Sequence, residues 1–153
     1  MRTTFALLFG LSLVAGTTQA PHEEAVRRIN PPGLAPTRGY SHVVSVARAR
    51  TLHIAGQVPL DRTGTTVGAG DFRAQTQRVF ENLKTAVEAG GGHLDDIVKI
   101  TTYLVDMSQL PTFLEVRAEY LAAQPPASTV VEVRRLSRPE FLVEVEAIAA
   151  VPE

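Results

Sequence analysis

The chain of 153 residues contains no cysteine and no tryptophan. Without thiols there is no disulfide, no thiolate metal site and no cysteine nucleophile, so stability has to come from packing alone. An excess of one charge is also missing: 15 Lys and Arg stand against 16 Asp and Glu, for a net charge of -1. A nucleic-acid binder normally carries a clustered positive footprint, and here the basic residues are scattered, which argues against nucleic acid as a partner. The four histidines, His22, His42, His53 and His93, stand far apart. None pairs at helical spacing with a second ligand type, which argues against a metal site.

A membrane-spanning run is lacking at the start of the chain. Met1-Arg2 is a short basic opening, Phe5 to Gly16 is apolar, and Thr18-Gln19-Ala20 places small residues ahead of Pro21. The apolar run falls short of the roughly 20 residues that cross a bilayer. The pattern is that of a signal peptide over residues 1–20, cleaved near Ala20. An exported protein, periplasmic or secreted, with no membrane attachment after cleavage, is therefore expected. The other reading makes this segment the first helix or strand of the fold. Cleavage would remove Arg2 and no acid, leaving 14 basic residues against 16 acidic ones.

What remains is long enough for one domain with a core of its own. Pro31-Pro32-Gly33 and Pro36 make residues 21–40 an extended arm, because each proline fixes its own backbone and turns the preceding residue away from helix. The domain proper is expected over 41–153, with regular structure from about Tyr40. His42 to Ala47 and Thr51 to Gly56 are β-prone runs separated by Arg48-Ala49-Arg50, the layout of a hairpin. After the Gly- and Thr-rich loop from Asp61 to Gly70, Asp71 caps a long helix. Phe72, Thr76, Val79, Phe80, Leu83, Ala86 and Val87 recur at its spacing, and Gly90-Gly91-Gly92 stops it.

Ile97 to Val105 reads as a strand. A second helix follows, with Asp106 and Ser108 as cap candidates, Pro111 in its first turn, and an apolar stripe of Leu110, Phe113, Leu114, Tyr120 and Leu121. Ser128 to Arg134 and Leu142 to Ala149 are the last strands. The order ββαβαββ describes an α+β layer with both helices on one face of a mixed sheet. Several strands are apolar on parts of both sides. That predicts an open sheet face used as an interface, and hence a homo-oligomer with its pocket near subunit contacts.

Few local patterns carry chemistry. Gly68-Ala69-Gly70 lacks both the third glycine of a dinucleotide loop and the Gly-Lys-Ser/Thr of a P-loop, and Asp71 would repel phosphate. No Gly-x-Ser-x-Gly elbow is present. In FLVEVEAIAAV, Phe141 to Val151, alternation puts Glu144 and Glu146 on one face of a strand and Val143, Val145 and Ala147 on the other. Pattern alone makes these acids solvated or paired with arginine.

Taken together, a set of short blocks resembles a known family. Gly39-Tyr40, Ala55-Gly56-Gln57-Val58-Pro59, Asn82-Leu83-Lys84, Asp96-Ile97-Val98-Lys99, Tyr120, Pro126-Ala127, Val131-Glu132-Val133 and Glu144-Val145-Glu146-Ala147-Ile148-Ala149 fall in the order of the Rid family, the RidA/YjgF enamine and imine deaminases. The likeness runs from about Ile29 to Val151. It implies a chorismate-mutase-like fold, a homotrimer with clefts between subunits, and hydrolysis of reactive imines or enamines to carbonyl compounds and ammonia without a cofactor. It makes Glu144 the residue that handles water, and it draws Tyr40, Gln57, Ser128 and Val130 to the pocket.

One departure bears on the substrate. The resemblance places an arginine directly after the Pro-Ala pair as the anion holder, and here Pro126-Ala127 is followed by Ser128. A neutral hydroxyl in place of a bidentate guanidinium removes an interaction of roughly 1.5 to 3 kcal/mol. The substrate expected is therefore an imine or enamine other than the standard small 2-iminoacid. Arg117 stands where the family pattern has asparagine, three residues before Tyr120. It either replaces the missing cation from the helix side or pairs on the surface with Glu115 or Glu119. The rival reading of the whole chain is a non-catalytic small-ligand binding or interaction protein that uses the trimeric inter-subunit cleft. A third is holdase-like protection of other proteins through exposed apolar surface.

Overall fold

The computed structural model describes residues 24–153; the expected signal peptide lies outside the described residues. The elements are β1 (Val26–Ile29), β2 (Val43–Val46), β3 (Arg50–Gln57), α1 (Phe72–Ala89), β4 (Ile97–Leu104), α2 (Leu110–Leu121), β5 (Ala127–Glu132) and β6 (Val143–Val151). Four strands form one sheet in the order β3-β6-β4-β5. Strand β6 runs antiparallel to both of its neighbours, while β4 and β5 are parallel. The sheet is thus mixed, and the ββαβαββ order holds with one further strand in front.

Helix α1 starts where Asp71 accepts a hydrogen bond from the Ala74 amide at 3.0 Å, satisfying one of the amides that a helix start leaves free. It ends at Gly90, with Gly91 in the left-handed region at φ 79°, a conformation that glycine adopts without steric cost. Between them Phe72, Val79, Phe80, Leu83 and Val87 are buried, the stripe set by helical periodicity. Asp106 caps a short 3-10 turn by accepting from the Ser108 amide, and α2 begins just after it with Pro111 in the first turn. Phe113, Val116 and Leu121 of α2 are buried, and the Tyr120 ring stacks on Phe80 with centroids 5.2 Å apart. Both helices join Ile100, Leu104, Val143, Val145 and Ala147 of the sheet in one core. Burying each such large side chain contributes roughly 1.5 to 3 kcal/mol.

Three expectations need correction. Regular structure begins at Val26, ahead of Tyr40, because Val26–Ile29 pairs antiparallel with β2 in a separate two-stranded sheet. The hairpin between His42–Ala47 and Thr51–Gly56 does not form: β2 takes β1 as its partner, and β3 pairs with β6. Proximity in sequence lost to the apolar C-terminal strand, which offers β3 a longer ladder. Finally, the sheet face turned away from the helices is less apolar than expected, since Lys99, Thr101, Tyr103, Glu144 and Glu146 occupy its middle. The exposed valines Val43 and Val46 lie on β2, and Val131 lies on edge strand β5.

Candidate active site

Glu144 occupies the second position of β6, opposite Tyr103 of β4. The alternation read from the sequence holds: Val143, Val145 and Ala147 are buried, Glu144 is half-buried and Glu146 is exposed. On its other side β6 meets β3, whose register shifts between Ile54 and Gln57. Such a bulge re-aims the chain locally. Gly56 lies within it, and a Cβ built there would overlap the Glu144 carboxyl group. The absence of a side chain at 56 thus gives the carboxylate its place against the backbone.

Burial pushes the Glu144 carboxyl above its ordinary pKa, and the charge of Glu146 adds to the rise. Tyr103, also raised, is held up by burial first and then by the charge and hydrogen bond of Glu146 and the charge of Glu144. Glu144 and the Tyr103 phenol therefore both favour their protonated forms beside the charge of Glu146. Gly56 and Gln57 line a groove of about 480 Å³ with Val58, Asp61, Arg78 and Asn82. Gln57 donates to the Ala55 carbonyl at 3.0 Å, and Asn82 donates to the Val58 and Leu60 carbonyls at 2.9 and 3.0 Å, fixing the groove wall.

The other expected residues gather elsewhere. Ser128 and Val130 pair in parallel with Ile100 and Thr102, both fully buried, so they point into the helix layer while Glu144 points away from it. The Ser128 hydroxyl is buried without a hydrogen-bond partner among the described residues, and Val130 packs against the core. Tyr40 belongs to a segment held against β5: Ser41 donates its amide to the Pro126 carbonyl at 2.9 Å and its hydroxyl to the Pro125 carbonyl at 2.8 Å. Arg117 reaches the same segment from α2, donating from Nη2 to the Arg38 carbonyl at 3.4 Å. It is only 5% exposed, so surface pairing with Glu115 or Glu119 is excluded; both acids pair with Arg73 instead.

Within one protomer Glu144 projects from the open face of the sheet beside Gly56 and Tyr103, whereas Gln57, in register with buried Val145, faces the α1 side, and Ser128, Val130, Tyr40 and Arg117 gather towards α2. Tyr103 and Gly56 escaped notice as site residues. A strand tyrosine in register with Glu144 was the available signal for the first, and the Ala-Gly-Gln block at a strand end for the second. Among the described residues no three His, Asp or Glu side chains converge as a metal site requires.

Comparison with known proteins decides the kinship. A family profile described as Endoribonuclease L-PSP matches residues 32–151. The chain belongs to the Rid (YjgF/RidA/RutC) family. It is 32% identical over 131 residues to the 3-aminoacrylate deaminase RutC of Acinetobacter baylyi, spanning 86% of this chain and 99% of that one. A Rid-family structure from Yersinia pestis superposes with a TM-score of 0.78 at 38% identity, covering 84% of this chain and all of the other. RidA from an Antarctic Psychrobacter gives 0.63 at 36% identity, covering 76% of this chain and 92% of that one. The Rid fold, a mixed sheet under two helices, is thereby established for residues 32–151.

Proposed function

We propose that this Rid protein hydrolyses a reactive imine or enamine to a carbonyl compound and ammonia. The observation that carries the reading is the half-buried Glu144 carboxyl, its pKa raised, set against Gly56 on the open face of the sheet beside Tyr103. An enamine first takes a proton at carbon and becomes an iminium ion. Glu144 then accepts a proton from water as the water oxygen bonds to the iminium carbon, giving a carbinolamine. Returning that proton to nitrogen lets the C–N bond break, so ammonia leaves as C=O forms and the hydroxyl proton is released to solvent, replacing the one taken up at carbon. Water is the only co-reactant, and the acid ends as it began. A carboxyl poised above its ordinary pKa suits both halves of the exchange. The deaminase named among the relatives, which this chain matches over nearly its full length, supports the same chemistry.

The two residue groups favour a homotrimer with clefts between copies. Ser128 and Glu144 project from opposite sides of one sheet, so a small substrate meets both when the Glu144 group of one copy faces the Arg117 and Ser128 group of the next. Ser128 at the position after Pro126-Ala127 favours a substrate other than the standard small 2-iminoacid. It also supports a second reading, a non-catalytic small-ligand binding or interaction protein that uses the cleft and does no chemistry. Residues 1–20 act as an export signal, so the mature trimer works in the periplasm or outside the cell. Near-neutral charge disfavours RNA as its substrate.

The test generates a panel of imines in situ and follows ammonia and ketoacid release with wild type and Glu144→Gln. Release that depends on Glu144 is expected. No release above background from any substrate, with ligands still bound, would establish the binding module instead. Light scattering checks the trimer, and mass spectrometry of the native N-terminus checks cleavage near Ala20.

A further inference from the structure

Among the described residues Arg117 is a charge without a counter-charge. It is 95% buried on the strength of its 5% exposure, and burial pulls its guanidinium pKa below the ordinary value. Ionised groups in protein interiors are normally paired, because leaving water costs several kcal/mol per ion. The acids on its own helix, Glu115 and Glu119, both pair with Arg73. Among the described residues its guanidinium makes one hydrogen bond, at 3.4 Å to the Arg38 carbonyl, beyond the usual N–H···O range. The Phe113 ring lies 6.0 Å away, the outer limit for a cation over an aromatic face. Five N–H donors are thus nearly unsupplied with acceptors.

The surroundings have the form of an entrance. Gly39 lies over the guanidinium in the left-handed region at φ 71°, and a Cβ there would come within 2.8 Å of Nη2. Gly39 is itself exposed. The segment that Gly39 opens is tied through Ser41 to Pro125 and Pro126, one residue short of Ser128. The Ser128 hydroxyl is buried and without a partner among the described residues, as is that of Thr102 on the neighbouring strand. A guanidinium with one long hydrogen bond and a hydroxyl with none therefore border one short segment. A carboxylate would supply acceptors to both and neutralise the charge.

We infer that Arg117 is the anion-binding residue of this protein, taking the carboxylate of an imino or enamino acid other than the standard small 2-iminoacid, with the Ser128 hydroxyl as a second donor. The inference deepens the deaminase reading and rests on it only for the identity of the reacting group. Arg117 fixes which substrates bind, those with a carboxylate, and Glu144 acts on the bond to nitrogen.

The experiment measures thermal melting and binding with 2-oxobutyrate, used as a small carboxylate probe, and with 2-butanone, its uncharged counterpart. Full-length wild type, Arg117→Gln, Arg117→Lys and Arg117→Met are compared. Wild type is expected to bind 2-oxobutyrate at least tenfold more tightly than 2-butanone, and its Tm to rise with the acid. Arg117→Gln should lose at least tenfold in affinity for the acid alone, and Arg117→Lys should keep part of it. Without ligand Arg117→Met should melt no lower than wild type, since an unpaired buried charge has been removed. Three results overturn the inference: no binding of the acid by wild type, acid affinity in Arg117→Gln within twofold of wild type, or an Arg117→Met protein that melts lower yet keeps the acid-dependent rise. Ammonia release separates the two claims. Acid binding through Arg117 with no release overturns the deaminase reading and leaves this one standing; release with an unchanged KM in Arg117→Gln does the reverse.

Discussion

The Glu144 carboxyl group lies in the space that a side chain on Gly56 would fill. The contact joins β6 to the bulge of β3, and it makes a small residue a condition for the position of an acid. Gly56 is not among the glycines with positive φ, so alanine there meets no backbone penalty. The atom displaced is the mobile end of a glutamate. Gly56→Ala should therefore swing the carboxyl away at a stability cost of about 1 kcal/mol or less, while turnover falls roughly 10- to 100-fold. Steady-state kinetics beside a melting curve checks this, and equal losses from Gly56→Val and Gly56→Ala in activity but not in Tm would locate the effect at Glu144.

The acid limb of the rate profile offers a second check. Burial and Glu146 both raise the Glu144 pKa, and a base must be ionised to take a proton from water. The rate should accordingly fall as pH drops through a midpoint above the ordinary carboxylate value, and Glu146→Gln should move that midpoint down because one raising cause is gone. Glu144→Gln should lower kcat by about 100- to 10,000-fold. Stability moves the other way. A carboxyl with a raised folded pKa is less stabilising once ionised, so Glu144 weakens the fold as pH rises through the window between its unfolded and folded values. Glu144→Gln should raise Tm at neutral pH and leave it unchanged below pH about 4.

Gln75 has no place in a reading based on apolar periodicity, yet it is fully buried. Its Nε2 donates to the Gly68 and Glu140 carbonyls at 3.1 and 2.8 Å, and its Oε1 accepts from the Leu142 amide at 2.9 Å. It thereby fastens to α1 the turn that leads into β6 and Glu144. Gln75→Leu keeps the volume and leaves the Glu140 carbonyl and the Leu142 amide unpaired, while the Gly68 carbonyl keeps the Asp71 amide. A loss of about 2 to 4 kcal/mol is expected from denaturant unfolding, with a larger loss of activity than the surface change Lys84→Gln.

What could be read from the sequence follows a physical line. Helix α1 was legible because Asp71, the apolar stripe and Gly90-Gly91-Gly92 are all local signals that agree. The two sides of β6 were legible because alternation has only two outcomes. The partners of β2 and β3 were not, since Arg48-Ala49-Arg50 looks like a hairpin turn while the stronger ladder comes from β6, some ninety residues away. The burial of Arg117 was equally hidden: arginine in a helix is normally solvated, and only the packing of Gly39 over it turns a surface residue into an enclosed cation. The separation of Ser128 from Glu144 depends on the parallel register of β5 with β4, which no stretch of sequence states.

That separation and Arg117 together set the last prediction. The resemblance to Rid proteins places a cation after Pro126-Ala127 and an asparagine three residues before Tyr120, and here the positions hold Ser128 and Arg117. Both border the Gly39 to Ser41 segment, so two arginines there would repel in a space that admits little water. Ser128→Arg alone should therefore lower Tm and fail to improve hydrolysis. Arg117→Asn alone should weaken carboxylate binding about tenfold or more. The double variant restores one cation on the β5 side of the segment, and it should recover both Tm and binding relative to the single changes. The coupling energy from this double-mutant cycle is expected to be about 1 kcal/mol or more and favourable. Additive effects, measured as ligand affinity and Tm for all four proteins, would mean that positions 117 and 128 do not serve one anion.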